Sequence, residues 1–240
     1  MKIAVLSDIH SNLTGLQAVL RDIEARGINR VYCAGDLVGY GSRPNEVIAL
    51  LRDRQIPTVM GNYDDAVGFM RFICGCDYKD EAAMKLAEKS MLWTKEHTSE
   101  ENKAWLRELP QQLSFTEEGL RFLIVHGSPR QLNEYLFENT PDDYLNQLLA
   151  ENTCDVLICG HTHLPYYKEL SNGHVINVGS AGKPKHGNPN LTYGILDIQE
   201  GGRLQVEFVQ VAYDFARAAR DIEEAGLPAE FARAIRTGTA

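Results

Sequence analysis

Residues 1–60 alternate between short apolar runs and helical patterns, and this alternation constrains the fold more than any other feature of the chain. Runs 2–6, 30–34 and 57–60 have the length and composition of β-strands. Segments 13–26 and 45–54, which lie between them, have apolar residues at helical spacing. Two successive βαβ units predict an α/β fold with a parallel sheet and right-handed crossovers. In such sheets, ligands bind at the carboxyl ends of the strands.

The middle of the chain predicts a helical insertion. Strand patterns are missing from about residue 66 to residue 110, where 81–97 and 100–108 have helical spacing. This stretch directly follows a polar segment at 61–64, so we expect its helices to cap one side of a functional site.

The second half of the chain predicts a run of strands and then helices. The strand patterns are at 113–115, 120–125, 156–159, 166–170, 174–178, 191–198 and 204–210. Turn sequences at 171–173 and 200–202 favour antiparallel hairpins. Residues 215–236 are helical in pattern, with a break at 226–228. We find no internal repeat and no linker, so the chain is interpreted as a single domain of residues 1–240.

A polar cluster directly follows five of the predicted strands. The clusters are Asp8-Ile9-His10, Gly35-Asp36, Gly61-Asn62-Tyr63-Asp64, His126-Gly127 and Gly160-His161-Thr162-His163. They hold four of the seven histidines of the chain. Because each cluster stands at a strand end, we expect all five to converge on one edge of the sheet.

This set of side chains predicts a metal site. Carboxylate and imidazole together suit Mn, Fe, Co, Ni and Zn better than Ca or Mg, which prefer shells made of oxygen. Four imidazoles and two carboxylates exceed the needs of one open four-coordinate centre. They suit two adjacent ions that share a carboxylate.

Charge restricts the class of partner. The formal net charge is -9, from 24 basic and 33 acidic residues, and this balance disfavours a nucleic-acid polymer. A small phosphorylated substrate remains compatible, because metal ions supply local positive charge. An oligomer is also compatible with the sequence.

Two further features concern the cellular compartment. No run of 18 or more apolar residues is present, and the first residues are too soon acidic for a signal peptide. The five cysteines are an odd number, which is typical of reduced thiols. We therefore expect a cytoplasmic protein without a membrane span. The pair Cys74 and Cys76 lacks partners for a tetrahedral site and is interpreted as two inert thiols in a loop.

The five clusters, in this order, resemble the pattern of the calcineurin-like metallophosphoesterase superfamily: D-x-H, G-D, G-N-H-[DE], H and G-H-x-H. Segments 35–41, 126–130 and 177–182 are also similar to those of its small bacterial and archaeal branch. The resemblance covers most of the chain apart from 66–110 and the C-terminal helices. It implies a four-layer αββα sandwich, in which two mostly mixed β-sheets are flanked by helices.

The resemblance also implies a role for each matching residue. Asp8, His10 and His163 are similar to the ligands of a first divalent ion, and Asp36 to a carboxylate that bridges two ions. The ligands of the second ion would be Asn62, His126 and His161. Among the candidate metals Mn, Fe, Zn, Co and Ni, manganese is favoured. Asn62 and Arg130 are candidates for binding the substrate phosphate, Arg130 because a guanidinium binds phosphate through two hydrogen bonds.

One position departs from the family pattern. The motif histidine, which helps to protonate the leaving group, is replaced by Tyr63, and the carboxylate that follows is Asp64. A phenol has an ordinary pKa near 10, against about 6.5 for imidazole, so it is a weaker general acid at neutral pH. Tyr63 and Asp64 are the candidate catalytic residues, and we expect substrates whose leaving groups need little protonation.

Two classes of function follow from these observations. The first is a hydrolase that uses metal-activated water on a small phosphodiester, a phosphoanhydride such as a dinucleoside polyphosphate, or a phosphomonoester. The second is a non-catalytic or weakly catalytic scaffold with the same fold, which would act through protein interactions. All seven candidate ligands are present, and this favours the hydrolase, whereas Tyr63 is the feature that favours the scaffold.

Overall fold

A computed structural model of the chain describes residues 1–75 and 80–239. In this part of the chain the elements are, in order, β1 (Lys2–Leu6), α1 (Leu13–Ala25), β2 (Val31–Cys33), α2 (Pro44–Asp53), α3 (Asn62–Gly68), α4 (Glu81–His97), α5 (Glu100–Glu108), β3 (Gln112–Glu117), β4 (Leu120–Val125), α6 (Asp142–Glu151), β5 (Val156–Cys159), β6 (Tyr166–Leu170), β7 (Gly173–Asn177), β8 (Leu191–Gln199), β9 (Arg203–Val211), α7 (Phe215–Glu224) and α8 (Ala229–Thr237).

The strands form two mixed sheets. The first sheet has the order β2-β1-β8-β9, and the second has the order β3-β4-β5-β7-β6. Strand β1 pairs in parallel with β2 and antiparallel with β8, while β5 is parallel to both of its neighbours. The hairpins predicted at 171–173 and 200–202 are confirmed as the antiparallel pairs β6–β7 and β8–β9.

Hydrophobic clusters separate four layers. Alternate residues of β1 point to opposite faces: Ile3 and Val5 pack between the two sheets, while Ala4 and Leu6 pack against the helices outside the first sheet. Helix α6 covers the outer face of the second sheet through Leu145 and its neighbours. The α/β class and the αββα sandwich implied by the resemblance are therefore confirmed.

The prediction of a third strand at 57–60 is wrong. This segment contributes one bridge, between Cys33 and Thr58, and two backbone hydrogen bonds with β2. Pro57 has no amide hydrogen to extend the pairing, and the amide of Met60 turns away to the backbone oxygen of Pro110. The sequence patterns did not predict helices α3 and α6. Helices α4 and α5 have the predicted bounds.

The insertion at 66–110 is part of the main core. Met91 of α4 and Leu106 of α5 are buried in the same hydrophobic cluster as Ala66 and Val67 of α3. Ser90 of α4 also accepts a hydrogen bond from the backbone amide of Tyr40 at 2.8 Å. These contacts make the insertion part of the packing of the main core, and its role as a cap over one side of the site stays a prediction. Cys76 of the predicted thiol pair lies outside the described residues, and Cys74 is buried.

No helix in the two described ranges is both long and apolar enough to cross a membrane.

Candidate metal centre

The five polar clusters meet at one place, but they come from two sheets. Three of them follow β1, β2 and the bridge segment of the first sheet, and two follow β4 and β5 of the second. The expectation of one sheet edge is therefore wrong, because the sandwich brings the carboxyl ends of both sheets together. The seven candidate ligands are at most 3% exposed: Asp8, His10, Asp36, Asn62, His126, His161 and His163.

Backbone strain is concentrated at this place. Asp8, His10, Asp36, His161 and His163 have φ angles of 53°, 49°, 55°, 64° and 62°. The left-handed region costs a non-glycine residue on the order of 1 kcal/mol or more, and such residues cluster at functional sites. The local backbone is thus bent so that the side chains point inward.

The first group consists of Asp8, His10 and His163, whose candidate ligand atoms lie within 4.8 Å of one another. Each histidine directs Nδ1 at a backbone oxygen, His10 at that of Val38 (3.0 Å) and His163 at that of Lys183. Their Nε2 atoms face each other at 3.3 Å. Asp8 Oδ1 lies 3.3 Å from His163 Nε2 and, among the described residues, is buried without a hydrogen-bond partner.

The second group consists of Asp36, His126 and His161, also within 4.8 Å of one another. His126 directs Nδ1 at the backbone oxygen of Ala34 (2.8 Å), and its Nε2 lies 3.4 Å from Asp36 Oδ2 and 3.0 Å from Asn62 Oδ1. Asp36 Oδ2 also lies 3.7 Å from Nε2 of His10 in the first group. One carboxylate oxygen of Asp36 therefore stands between the two groups.

Burial controls the charge of these residues in the absence of metal. Burial lowers the pKa of His10 to about 3 and that of His161 to about 3, and it also lowers the pKa of His163. Burial raises the pKa of Asp8 to about 6. Three of the histidines are thus neutral, the form in which imidazole binds a metal.

His126 and Asp36 stabilise each other's charge. Burial alone would lower the pKa of His126, but the negative charge of Asp36 and its hydrogen bond outweigh burial and raise the pKa to about 9. In the same way, the charge of His126 outweighs burial and lowers the pKa of Asp36. An imidazolium therefore occupies the second group when no metal is bound, and it would have to lose a proton to become a ligand.

Asp64 joins two of the loops that carry the site. Its Oδ2 accepts from the amides of Gly61 and Asp36, each at 2.9 Å, and its Oδ1 accepts from those of Leu37 (2.9 Å) and Val38 (3.4 Å). Burial, followed by the charge of Asp36, raises its pKa to about 7 although these amides favour the carboxylate. Its contacts are those of a loop-positioning residue, and its predicted catalytic role stays a prediction.

Tyr63 is fully buried beside the first group. Its ring centroid lies 5.5 Å from that of His10 and 4.8 Å from that of Tyr40, and its amide donates to Asp36 Oδ1 at 2.8 Å. A Cβ at Gly39 would come within 2.3 Å of the Tyr63 ring, so the close approach requires glycine there. Tyr63 thus lies next to the predicted metal ligands, as the motif position requires.

Two basic residues near the site differ in their surroundings. Arg130 is exposed, and its guanidinium donates to the hydroxyl of Tyr144 at 3.1 Å. Lys183 is buried, with its ammonium 4.6 Å from the centroid of the Tyr40 ring. Its backbone oxygen also orients His163.

Sequence reasoning missed Asn133, whose backbone oxygen lies 3.2 Å from His161 Nε2. No motif marks this position, because a contact made by a backbone oxygen leaves no signal in the residue type.

Comparisons with known proteins point to one family. The sequence profile of the calcineurin-like phosphoesterase superfamily domain matches residues 1–201. An uncharacterized protein of Methanocaldococcus jannaschii is 35% identical over an alignment of 243 residues. The alignment covers 94% of this chain and 93% of that protein. The phosphodiesterase YfcE of Escherichia coli is 27% identical over 209 residues, and the match covers 82% of this chain and 88% of YfcE. A crystal structure of a metallophosphoesterase from Sphaerobacter thermophilus matches with a TM-score of 0.80 at 28% identity. The match covers 100% of this chain and 99% of that one.

Proposed function

The chain belongs to the calcineurin-like phosphoesterase superfamily and is a metal-dependent phosphoric ester hydrolase, and from this premise we propose that it cleaves a small phosphorylated molecule at a centre of two divalent ions. The substrate would be a phosphodiester, a phosphoanhydride such as a dinucleoside polyphosphate, or a phosphomonoester. The name of the Escherichia coli relative, a phosphodiesterase, supports a phosphodiester as the substrate.

The facing nitrogens of His10 and His163 carry the proposal. Both Nδ1 atoms point at carbonyl oxygens, which can only accept, so both rings hold their proton on Nδ1. Two Nε2 lone pairs then face each other at 3.3 Å, beside an Asp8 oxygen that has no donor in the described chain. Three acceptors that converge without a hydrogen repel one another, and a bound cation removes that repulsion. The residues present therefore fit a metal ion.

We assign the ligands accordingly. Asp8, His10 and His163 would hold the first ion, and Asn62, His126 and His161 the second. Asp36 would bridge them, because its Oδ2 is near a histidine of each group. Imidazole and carboxylate in this proportion suit Mn, Fe, Co, Ni or Zn, and we favour Mn.

The chain's own part in the reaction is to position and to bury these groups. When bound, two ions supply an activated water and neutralise the charge that develops on the phosphoryl oxygens. Asp64 holds the loops of Asp36 and Asn62 in fixed relation. Tyr63 is a hydrogen-bond donor in place of an imidazolium, which favours leaving groups of low pKa. Arg130 is a candidate for contacting the part of the substrate that extends to the surface.

Partner and compartment are part of the proposal. The partner is a small phosphorylated molecule rather than a nucleic-acid polymer, in keeping with the net charge of -9. Cys33, Cys154 and Cys159 are free buried thiols, which suits the reducing cytoplasm.

A turnover assay tests the function. Protein stripped by a chelator and then supplied with Mn²⁺ should hydrolyse bis(4-nitrophenyl) phosphate, while the stripped protein should be inactive. The matched variant is His126→Ala, which removes one ligand of the second ion and should abolish turnover. Two Mn²⁺ ions bound with no turnover on diester, monoester or anhydride substrates would instead favour the scaffold.

A further inference from the structure

The segment Cys74–Gly75 follows α3 at the start of the insertion. It contacts Asn62, which lies beside the second group of candidate ligands (Asp36, His126 and His161). The backbone oxygen of Cys74 accepts a hydrogen bond from Asn62 Nδ2 at 3.1 Å. A carbonyl oxygen can only accept, so the amide nitrogen of Asn62 must face the insertion. The amide oxygen then faces His126 Nε2, 3.0 Å away. The Cys74 carbonyl therefore favours the orientation in which the Asn62 amide oxygen is presented to the second group.

Asn133 joins the same segment to the second sheet. Its Nδ2 donates to the backbone oxygen of Gly75 at 2.6 Å, while its own backbone oxygen lies 3.2 Å from His161 Nε2. That carbonyl requires a proton on Nε2 and leaves Nδ1 of His161 as the lone-pair atom. The ring of Tyr135 packs on His161 with centroids 4.0 Å apart.

The chain next to Asn133 also has contacts outside the insertion. Ser128 and Tyr144 both donate to the carboxylate of Glu134, the next residue. Removing the Asn133 side chain would therefore break the bond to Gly75 and leave the backbone contact with His161 in place.

We infer that Asn133 is a positioning residue: by holding Gly75, it keeps the Cys74 carbonyl on Asn62 and so presents the Asn62 oxygen to the second metal ion. The inference rests on the proposed function, because it takes Asn62 as a ligand of that ion. It also assigns a role to the insertion, whose first loop orients one ligand of one ion.

Calorimetric titration of chelator-treated Asn133→Ala with Mn²⁺ tests this. The first ion should bind with wild-type affinity, and the affinity for the second should fall about 10-fold, as expected for the loss of roughly one hydrogen bond. Electron paramagnetic resonance at two equivalents of Mn²⁺ should show more mononuclear signal and less spin-coupled pair. Hydrogen exchange of the backbone at 69–75 should become faster.

A second variant, Gly75→Ala, changes the other residue of the contact between Asn133 and Gly75. Gly75 has a φ of +74°, and a Cβ there would lie 2.8 Å from Asn133 Nδ2, so Gly75→Ala should also weaken the second ion. Asn139→Ala, an exposed asparagine further along the same loop, should bind both ions normally.

Three results would overturn the inference. The first is wild-type affinity for both ions in Asn133→Ala and Gly75→Ala. The second is an equal loss of both ions, which would indicate general loosening. The third is a wild-type protein that binds fewer than two ions, which would overturn the proposed function as well and is recognised before any substitution is made.

Discussion

Nε2 of His10 lies 3.3 Å from Nε2 of His163, and both rings hold their Nδ1 atoms against backbone oxygens. The two lone pairs therefore point at each other in a site where water has little access, since both residues are at most 3% exposed. This arrangement is unfavourable without a cation and favourable with one. The metal-free protein thus contains a local repulsion that metal binding relieves.

Mn²⁺ should accordingly raise the melting temperature of the chelator-treated protein. At a free concentration 100 times the dissociation constant, one bound ion adds about 2.7 kcal/mol to the free energy of unfolding. For a chain of this size, that corresponds to a shift of roughly 5–10 °C. Differential scanning calorimetry measures the shift, with K⁺ at equal ionic strength as the control. An unchanged melting temperature in Mn²⁺ would contradict the metal centre.

Asp36→Ala should cause the largest loss of metal, because Asp36 Oδ2 is near histidines of both groups. We expect fewer than about one ion per chain in elemental analysis, against two for wild type. His97→Ala is the control, since His97 stacks on Trp93 at 3.8 Å and is exposed. A variant at Asp36 that retains both ions would remove the bridging role.

Asp64→Ala should destabilise the fold as well as the site. It leaves the buried amides of Gly61, Asp36 and Leu37 without their acceptor. We expect a loss of about 3 kcal/mol in the free energy of unfolding, measured by urea denaturation. The neighbouring Asp65→Ala breaks an ion pair with the exposed Arg71, which water screens, and should cost much less. Equal losses in the two variants would contradict the loop-positioning role.

Tyr63 should set the dependence of rate on the leaving group. A phenol gives little driving force for protonation at pH 7, so wild type should favour nitrophenyl esters and anhydrides over alkyl esters. Tyr63→His should raise kcat/KM for alkyl diesters at least about tenfold, and Tyr63→Phe should cost little on a nitrophenyl diester. The measurement is kcat/KM across diesters of graded leaving-group pKa at fixed Mn²⁺ and pH. A wild-type rate independent of that pKa, with chemistry rate-limiting, would refute the claim.

The insertion should be essential to the core. Leu106→Ala on α5 removes a side chain that is 0% exposed and packs with α3, so it should cost about 2–5 kcal/mol of unfolding free energy. Leu92→Ala on α4 removes one that is 61% exposed and should cost less than about 0.5 kcal/mol. Neutral results for both substitutions would contradict a role of the insertion in the core.

Local features of the sequence were sufficient for much of this protein. The bounds of α4 and α5 and the two hairpins follow from spacing and turn residues, which act within a few positions of the chain. Polar residues placed after apolar runs located the site, and the resemblance to the family pattern implied which seven of them are candidate ligands. Tyr63 was also recognised from its motif position.

Tertiary structure decided the rest, because pairing and burial depend on residues far apart in the chain. The sequence could not show that β8 inserts beside β1, or that two sheet ends rather than one form the site. The burial of Lys183 against Tyr40 and the contact of Asn133 with His161 join residues 143 and 28 positions apart, respectively, the latter through a backbone oxygen. Periodicity describes which face of an element is apolar, whereas the folded chain determines what that face meets.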